Sequence, residues 1–254
     1  MLKRLFLAVL LLAAAGRAGA VDFTDIWYNP AESGWGVNVV QSNSFLFITF
    51  FIYGADGKPT WFTGQVTLDA SGNFNGTLYS TTGTYYILPW AGYTVGVAGT
   101  VSFQPLTPST ARLIYTVNGV GTVPKVIQRQ TLTAITIGGV YAGGQSGTYS
   151  GCSTGTSNGP YRDFFDLSLT QLTNQSVTFS FVYTNNLSCT FSGTLVQTGQ
   201  LYSVPNAAYS CNNGVNTTAT MTEIKATAQG VEGRFSASYG GNCREDARFS
   251  GVIN

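Results

Sequence analysis

The stretch Trp27-Tyr28-Asn29-Pro30-Ala31-Glu32-Ser33-Gly34-Trp35-Gly36 combines aromatic residues with turn residues more densely than any other part of this sequence. Asn29-Pro30 predicts a turn, because proline disfavours helical geometry in the residue before it. Ser33-Gly34 predicts a second bend, since glycine can adopt positive φ. Gly36 would let a bulky neighbour cross the backbone closely. We therefore predict a corner here, at the start of a β-domain.

Short strands separated by turns are predicted on the C-terminal side of this corner. Residues 44–53, SFLFITFFIY, are apolar on both faces, which is typical of a strand covered on both sides. Asp56-Gly57 and Asn118-Gly119 are hairpin turn signals. No segment shows a helical period with caps. Seven or eight such strands over residues 21–137 predict an up-and-down barrel or a sandwich.

A glycine-rich stretch that includes Gly138-Gly139 and Gly143-Gly144 introduces a second unit, residues 138–254. Apolar and polar residues alternate from Phe165 to Leu169 and from Val177 to Tyr183, as in half-buried strands. The predicted fold class is therefore all-β, with two small antiparallel β-barrel or sandwich-like domains.

Four cysteines, all in the second unit, predict two disulfides in an exported chain. Three pairings are possible. We favour Cys189–Cys211, which would close a hairpin-like loop, together with Cys152–Cys243, which would tie the ends of the domain. A zinc site is the alternative, but the chain has neither C-x₂-C spacing nor histidine.

The first 20 residues have the pattern of a secretory signal peptide. Lys3 and Arg4 precede an apolar run from Leu5 to Ala15, and Ala18-Gly19-Ala20 is a cleavage-site motif. An uncleaved membrane anchor is the alternative. We expect a periplasmic, cell-surface or secreted protein with no integral membrane segment after cleavage.

Charge and composition exclude several functions. Removing Lys3, Arg4 and Arg17 leaves 9 basic and 11 acidic residues, a net charge of −2, which argues against a nucleic-acid partner. The absence of histidine excludes Ser-His-Asp and Cys-His catalysis and removes the commonest metal ligand. With no free cysteine expected, we predict no metal site, no cofactor and no enzymatic activity.

The remaining carboxylates offer little for catalysis. We expect Asp22 and Asp25 to be frayed near the mature N-terminus. Glu245-Asp246, flanked by two arginines, is predicted to be a solvated turn. Glu32 alone lies within an aromatic cluster, and no partner for acid–base chemistry is visible in the sequence.

The opening stretch allows two interpretations. In the structural one, its aromatic residues plug one end of a barrel while Glu32 accepts hydrogen bonds from indole or backbone N–H groups. In the functional one, flat aromatic side chains beside amides form an accessible platform for a sugar or a small amphipathic ligand. The candidate ligand-binding residues are Trp27, Tyr28, Asn29, Glu32, Trp35, Asn38, Tyr53, Trp61 and Gln65.

The pattern W-Y-N-P-x-E-S-G-W-G over 27–36, followed by Y-x-x-D-G-x-P-T-W over 53–61, resembles a family of uncharacterised bacterial exported proteins. The resemblance covers residues 27–130. It implies an exported bacterial β-domain and brings no activity with it.

Two functions are favoured over a third, an enzyme, which would require a second carboxylate close to Glu32. The first is an exported, non-catalytic β-domain protein that binds a carbohydrate or a small amphipathic ligand. The alternative is a structural or cell-surface interaction protein, adhesin-like or part of the envelope. The sequence does not indicate an oligomeric state.

Overall fold

The computed structural model describes residues 21–134, 136–153 and 158–254. Over these residues the chain forms seventeen antiparallel strands, which confirms the predicted all-β class. The predicted signal peptide lies outside the described residues. Within the described part of the chain, no helix has the length and apolar character needed to cross a membrane.

The first eight strands form a closed up-and-down barrel in which each strand pairs with the next and β1 pairs with β8. Its centre is filled by apolar side chains, including Trp27, Phe50 and Phe103, which are fully buried. The strands are β1 (Asp25–Tyr28), β2 (Gly36–Ser42), β3 (Phe45–Tyr53), β4 (Pro59–Leu68), β5 (Phe74–Gly83), β6 (Tyr93–Thr107), β7 (Thr110–Val117) and β8 (Gly121–Arg129).

The outer face of β3 departs from the sequence prediction. Leu46, Ile48 and Phe50 point into the barrel, as expected for alternate strand residues. The intervening Phe47 and Phe51 are exposed, so the prediction that this strand is covered on both faces is wrong. In an antiparallel barrel one side of each strand faces the core, and none of the described residues forms a second layer over the outside of β3.

The remaining nine strands form a second sheet in the order β12-β11-β10-β9-β17-β16-β15-β14-β13. An additional pairing of β12 with β14 closes eight of them, β9 to β12 and β14 to β17, into a ring, which we call the second barrel. The strands are β9 (Gly139–Ser150), β10 (Gly159–Gln171), β11 (Ser176–Tyr183), β12 (Ser188–Thr194), β13 (Val196–Thr198), β14 (Leu201–Cys211), β15 (Asn216–Ala226), β16 (Gly230–Ser238) and β17 (Arg244–Ile253).

Two disulfides join the four cysteines of the second sheet. Cys189–Cys211 links directly opposed residues of β12 and β14, and Cys152–Cys243 links the segments that follow β9 and precede β17. The favoured pairing is therefore confirmed. Such bonds persist in oxidising compartments, which indicates an extracytoplasmic β-domain protein.

Asp25 and Arg129 form a buried ion pair where the first barrel closes. The Arg129 Nη1 lies 3.1 Å from the Asp25 Oδ2, and both side chains are almost wholly buried. Arg129 also donates to the carbonyl oxygens of Asp22, Thr24 and Pro108. Burial lowers the pKa of Arg129, and its hydrogen bond to Asp25 opposes that effect. The prediction of a frayed N-terminal segment is thus wrong for Asp25, because a cation 104 residues away in sequence holds it.

The same ion pair contacts the second unit. The backbone N–H of Gln200 donates to the Asp25 Oδ2 at 3.2 Å, and that of Gly199 donates to the Thr131 hydroxyl at 3.0 Å. A Cβ at Gly199 would lie 2.4 Å from the Cβ of Arg129, so only glycine fits there. The turn between β13 and β14 therefore packs directly on the ion pair that closes the first barrel.

We predict that Arg129→Met lowers the free energy of unfolding by about 3–5 kcal/mol, because it leaves the Asp25 carboxylate buried without its cation. Urea denaturation followed by circular dichroism measures the change. Lys58→Met is the matched control: the pair that Lys58 forms with Asp56 is exposed, and its loss should cost less than about 1 kcal/mol. Equal losses in the two variants would contradict the assignment.

Candidate ligand-binding surface

Trp27 is a core residue of the first barrel. Its side chain is fully buried, its indole N–H donates to the carbonyl of Phe23 at 3.0 Å, and its ring meets that of Phe103 edge-on. The guanidinium of Arg129 lies 4.9 Å from the ring centroid, within the range of a cation–π contact. The functional interpretation is wrong for Trp27, which no ligand can reach.

The corner after β1 is held by its own polar groups. The Asn29 side chain accepts a hydrogen bond from the backbone N–H of Ala31, and the Asn29 carbonyl accepts one from Glu32. These bonds form the turn predicted from Asn29-Pro30. Tyr28 and Asn29 are half-buried, so neither presents a free face.

Glu32 ties the corner to β8. Its carboxylate accepts a hydrogen bond from the Trp35 indole N–H at 3.0 Å, and the Lys125 ammonium lies 2.7 and 2.8 Å from its two oxygens. Lys125 also lies 5.9 Å from the centroid of the half-buried Trp35 ring. The hydrogen bond from Lys125 lowers the pKa of Glu32, which is therefore ionised at neutral pH. This cluster matches the structural interpretation of Glu32.

Four other predicted residues lie on the outside of β2, β3 and β4. Tyr53 and Trp61 are 57% and 52% exposed, and Asn38 and Gln65 are exposed as well. The Tyr53 hydroxyl donates to the Gly34 carbonyl, which fixes the ring beside the corner. The predicted set therefore divides into a core tryptophan, a polar corner and an exposed face.

Two phenylalanines that the sequence analysis did not select complete this face. Phe51 lies directly opposite Trp61, and Phe47 directly opposite Gln65, in the pairing of β3 with β4. Directly opposed side chains on one sheet face are in contact range. We call the set Phe47, Phe51, Tyr53, Trp61, Asn38 and Gln65 the outer aromatic face.

A second exposed apolar feature is the hairpin between β5 and β6. Its tip is ordered by the Thr84 side chain, which accepts a hydrogen bond from the Ala91 N–H and donates to the Gly92 carbonyl. No charged residue occurs in the sequence between Asp69 and Arg112. We call this feature the apolar hairpin. Its exposed large side chains are Tyr85, Tyr86, Ile87, Leu88, Trp90, Tyr93, Val95 and Val97.

The sequence analysis did not select the apolar hairpin. The run Tyr85-Tyr86-Ile87-Leu88-Pro89-Trp90 lies in the connection between β5 and β6, where polar residues are the rule. Six mostly large apolar residues at a solvent-exposed tip mark an interaction site or a liability for aggregation. Large apolar residues in a connection between strands were therefore the feature of the sequence that could have identified this hairpin.

The second barrel contains a buried carboxylate that the sequence analysis placed in a solvated turn. Glu245 lies on β17, is 2% exposed, and accepts hydrogen bonds from the hydroxyls of Tyr161 and Tyr239. The turn prediction is wrong because Glu245 is in phase with Ala247 and Phe249, which point into the barrel. Burial raises the pKa of Glu245, and the tyrosine hydrogen bonds partly offset this effect.

Comparison with known proteins identifies no family for this chain. No protein-family model and no curated protein matches this chain. One solved structure, called a "putative outer membrane protein" and from Bacteroides fragilis, aligns with 94% of this chain and 98% of its own. The sequence identity is 13% and the TM-score is 0.34, too low to support a conclusion about fold or function.

The exposure of the four tryptophans generates a fluorescence prediction. Trp61 and Trp90 are exposed, Trp35 is half-buried and Trp27 is buried. We expect the double variant Trp61→Phe/Trp90→Phe to lose most acrylamide quenching and to emit at shorter wavelength than the wild type. Quenching that is unchanged in the double variant would mean that both rings are covered in solution.

A second prediction concerns Glu245. Since its pKa is raised above 4.5 in the folded state, the folded protein takes up its proton first as pH falls. The free energy of unfolding should therefore increase from about pH 7 towards 4.5 relative to Glu245→Gln, by about 1.4 kcal/mol per unit of pKa elevation. Asp246→Asn, at an exposed neighbour on the same strand, is the control and should follow the wild type. A wild-type pH profile that is flat relative to Glu245→Gln would contradict the raised pKa.

Proposed function

We propose that this extracytoplasmic β-protein is non-catalytic and binds a neutral glycan chain through the outer aromatic face of its first barrel. The observation that carries the proposal is the exposure of Phe51, Tyr53 and Trp61 together on one side of β3 and β4. A contiguous exposed apolar patch is disfavoured on a soluble protein unless it binds something.

The chemistry of this face suits a sugar. Aromatic rings present flat apolar surfaces that stack on the C–H faces of pyranose rings, and Trp and Tyr are the side chains that most often dominate binding. Asn38 and Gln65 lie on the same side of the sheet and can exchange hydrogen bonds with hydroxyl groups. Successive outward residues on a strand lie about 6–7 Å apart, which spreads the rings along an extended ligand.

Two further observations support this proposal. One favours a ligand site on the outside of the first barrel, and the other favours binding over catalysis. The centre of the first barrel is filled by its own aromatic core, which leaves the outer surface for recognition. Glu32, the carboxylate of the corner beside Tyr53, forms an ion pair with Lys125. A general acid would need a raised pKa, whereas the pKa of Glu32 is lowered.

Isothermal titration with soluble neutral polysaccharides tests the proposal; glycogen, mannan and hydroxyethyl cellulose are the probes. We expect one of them to bind, and Trp61→Ala to weaken that binding about tenfold, or ~1.4 kcal/mol. Trp61→Phe should retain more of the affinity, because the ring is kept.

The matched control is Phe164→Ala, which removes an aromatic side chain that is 71% exposed on the second barrel. This variant should bind like the wild type. The proposal fails if none of the three polysaccharides binds, or if Phe164→Ala and Trp61→Ala lose affinity equally.

The apolar hairpin favours a second candidate, a cell-surface interaction protein. Ile87 and Leu88 are 66% and 58% exposed, and aliphatic side chains do not stack on sugars. Their exposure at a hairpin tip suits burial against an apolar surface of another envelope component. The sequence motif at 27–36, with its resemblance to exported bacterial proteins, is compatible with either function.

For this candidate we predict that Ile87→Ser/Leu88→Ser shifts the protein from the envelope fraction to the soluble fraction when cells are lysed and fractionated. Val140→Ser, at a similarly exposed aliphatic side chain on β9, is the control. A wild-type protein found wholly in the soluble fraction would exclude this role, and so would a double variant that fractionates like the control.

A further inference from the structure

The buried Glu245 of the second barrel is surrounded by tyrosines from several strands. Tyr161 and Tyr239 donate hydrogen bonds to its two oxygens, and a hydrogen bond from Tyr149 also favours its ionised form. The Tyr239 hydroxyl lies 3.5 Å from that of Tyr209. The carboxylate is thus enclosed by phenol groups at one end of the barrel.

A second layer of contacts holds these rings in place. The Tyr161 hydroxyl accepts a hydrogen bond from the Gln145 amide at 3.2 Å, and the same amide accepts one from Tyr183 at 2.9 Å. The rings of Tyr149 and Tyr161 stack with centroids 5.0 Å apart. Gln145 and Tyr183 are themselves buried, so the arrangement is fixed before any ligand arrives.

Glu245 differs from Asp25, the other buried carboxylate among the described residues, and from the partly buried Glu32 and Glu223, because these three have a cation as partner. Asp25 is paired with Arg129, Glu32 with Lys125, and Glu223 with Arg234. The ion pairs formed among the described residues do not include Glu245. A buried carboxylate without a counter-charge is costly, and proteins ordinarily pair it. The hydrogen-bond donors that contact this carboxylate are neutral phenols, so a nearby cation would stabilise its ionised form.

A cavity of about 770 Å³ opens beside the cluster at the disulfide end of the barrel. Tyr149, Tyr209 and Tyr239 line it, and the disulfide between Cys152 and Cys243 forms part of its wall. The ring centroid of Tyr239 lies 6.1 Å from that of Tyr149 and 6.2 Å from that of Tyr209. All lining residues that the structure describes are uncharged. The volume falls in the range of small-molecule sites.

We propose that this cavity, the tyrosine mouth, binds an organic cation that carries a trimethylammonium group. Tyrosine rings attract such a cation by their electron-rich faces, and enclosure by several aromatic rings is how proteins recognise methylated ammonium groups. The Glu245 carboxylate supplies the balancing negative charge from behind the phenols.

The geometry disfavours a metal ion in the same place. Glu245 lies behind the hydroxyls of Tyr161 and Tyr239, and no group of three or more acidic or thiol ligands occurs among the described residues. A trimethylammonium group needs no direct ligand from the protein, because ring faces and a nearby charge are sufficient. The site belongs to the second barrel and does not depend on the outer aromatic face of the first.

Isothermal titration with choline is the primary test. We expect saturable binding of choline and at least tenfold weaker binding of its neutral carbon isostere, in which a tert-butyl group replaces the trimethylammonium group. Equal binding of the two compounds, or no binding of choline, would overturn the proposal. Vesicles of phosphatidylcholine form a second arm: binding to them assigns the cation to a lipid headgroup, whereas binding to free choline alone assigns it to a solute.

Variants distinguish loss of the Glu245 charge from loss of the folded structure. Glu245→Gln should weaken choline binding at least tenfold, while Asp246→Asn, which removes an exposed carboxylate from the same strand, should bind like the wild type. Tyr149→Phe keeps the ring and should bind nearly normally, whereas Tyr149→Leu should not bind. Circular dichroism melting verifies that each variant is folded. If folded Glu245→Gln binds choline as well as the wild type, Glu245 does not balance the charge and the proposal fails.

The pH dependence provides an independent readout. The ionisable groups that face Glu245 are Tyr149, Tyr161, Tyr183, Tyr209 and Tyr239, with Asp163 acting at longer range. The tyrosine pKa values are raised, that of Tyr209 to about 12, so these groups stay neutral over the tested range. Choline affinity should therefore fall as pH is lowered through the raised pKa of Glu245. Affinity that is independent of pH, or that rises on acidification, would count against the proposal.

Discussion

The hydrogen bonds of Arg129 hold β1 against β8, which have fewer opposed residues than any other strand pair that the structure describes. β1 and β8 close the first barrel through only two opposed residue pairs, Trp27 with Arg129 and Tyr28 with Gln128. One guanidinium joins Asp25 on β1 to backbone oxygens of the N-terminal segment and of the β6–β7 turn, and it lies over the Trp27 ring. Arginine suits this place because its planar group carries five donors and stays charged when buried. Without it, an uncompensated carboxylate would lie at the point where the barrel must close.

In the second barrel, a disulfide joins the two strands that close the ring. β12 and β14 close its ring through four residue pairs, and the disulfide between Cys189 and Cys211 lies at one end of that seam. A cross-link of this kind limits the unfolded chain and so favours the closed form. The turn at Gly199, which immediately precedes β14, packs on Arg129 of the first barrel. The turn that contacts Arg129 in the first barrel therefore leads directly into β14, the strand that closes the second barrel.

The sequence was sufficient to predict the β-class and the barrel form as one of two options, because both depend on local features. The confirmed disulfide pairing was the favoured one of three, since cysteine spacing does not determine connectivity. Alternation over residues such as 165–169 and turn dipeptides such as Asp56-Gly57 are local. The ion pair between Asp25 and Arg129 depends on a contact over 104 residues, and no local pattern reports it. Glu245 was misplaced because its neighbouring arginines suggested solvent, although its phase with Ala247 and Phe249 pointed inward.

Similar limits apply to the candidate sites. Selection of Trp61, Tyr53 and Gln65 followed from residue type, and their exposure is consistent with the functional interpretation, whereas Trp27 has the same residue type and fills the core. Residue type does not distinguish the two sides of a barrel strand; strand phase does, because alternate residues face opposite ways. Phe51 could have been added to the exposed face by phase alone, since it lies two residues before Tyr53 on the same strand.

Phase also explains why the two barrels would bind different ligands. In the first barrel the inward positions are apolar and closely packed apart from the mutually paired Asp25 and Arg129, so polar recognition is left to outward residues such as Asn38 and Gln65. In the second barrel, Glu245 and Gln145 occupy inward positions at one end and bring hydrogen-bonding groups inside. That polar end needs tyrosines rather than phenylalanines, because each buried oxygen must find a donor. In our proposal, a carboxylate that is satisfied by hydrogen bonds but lacks a counter-charge makes this end favour cations, whereas the outer face of the first barrel favours neutral sugars.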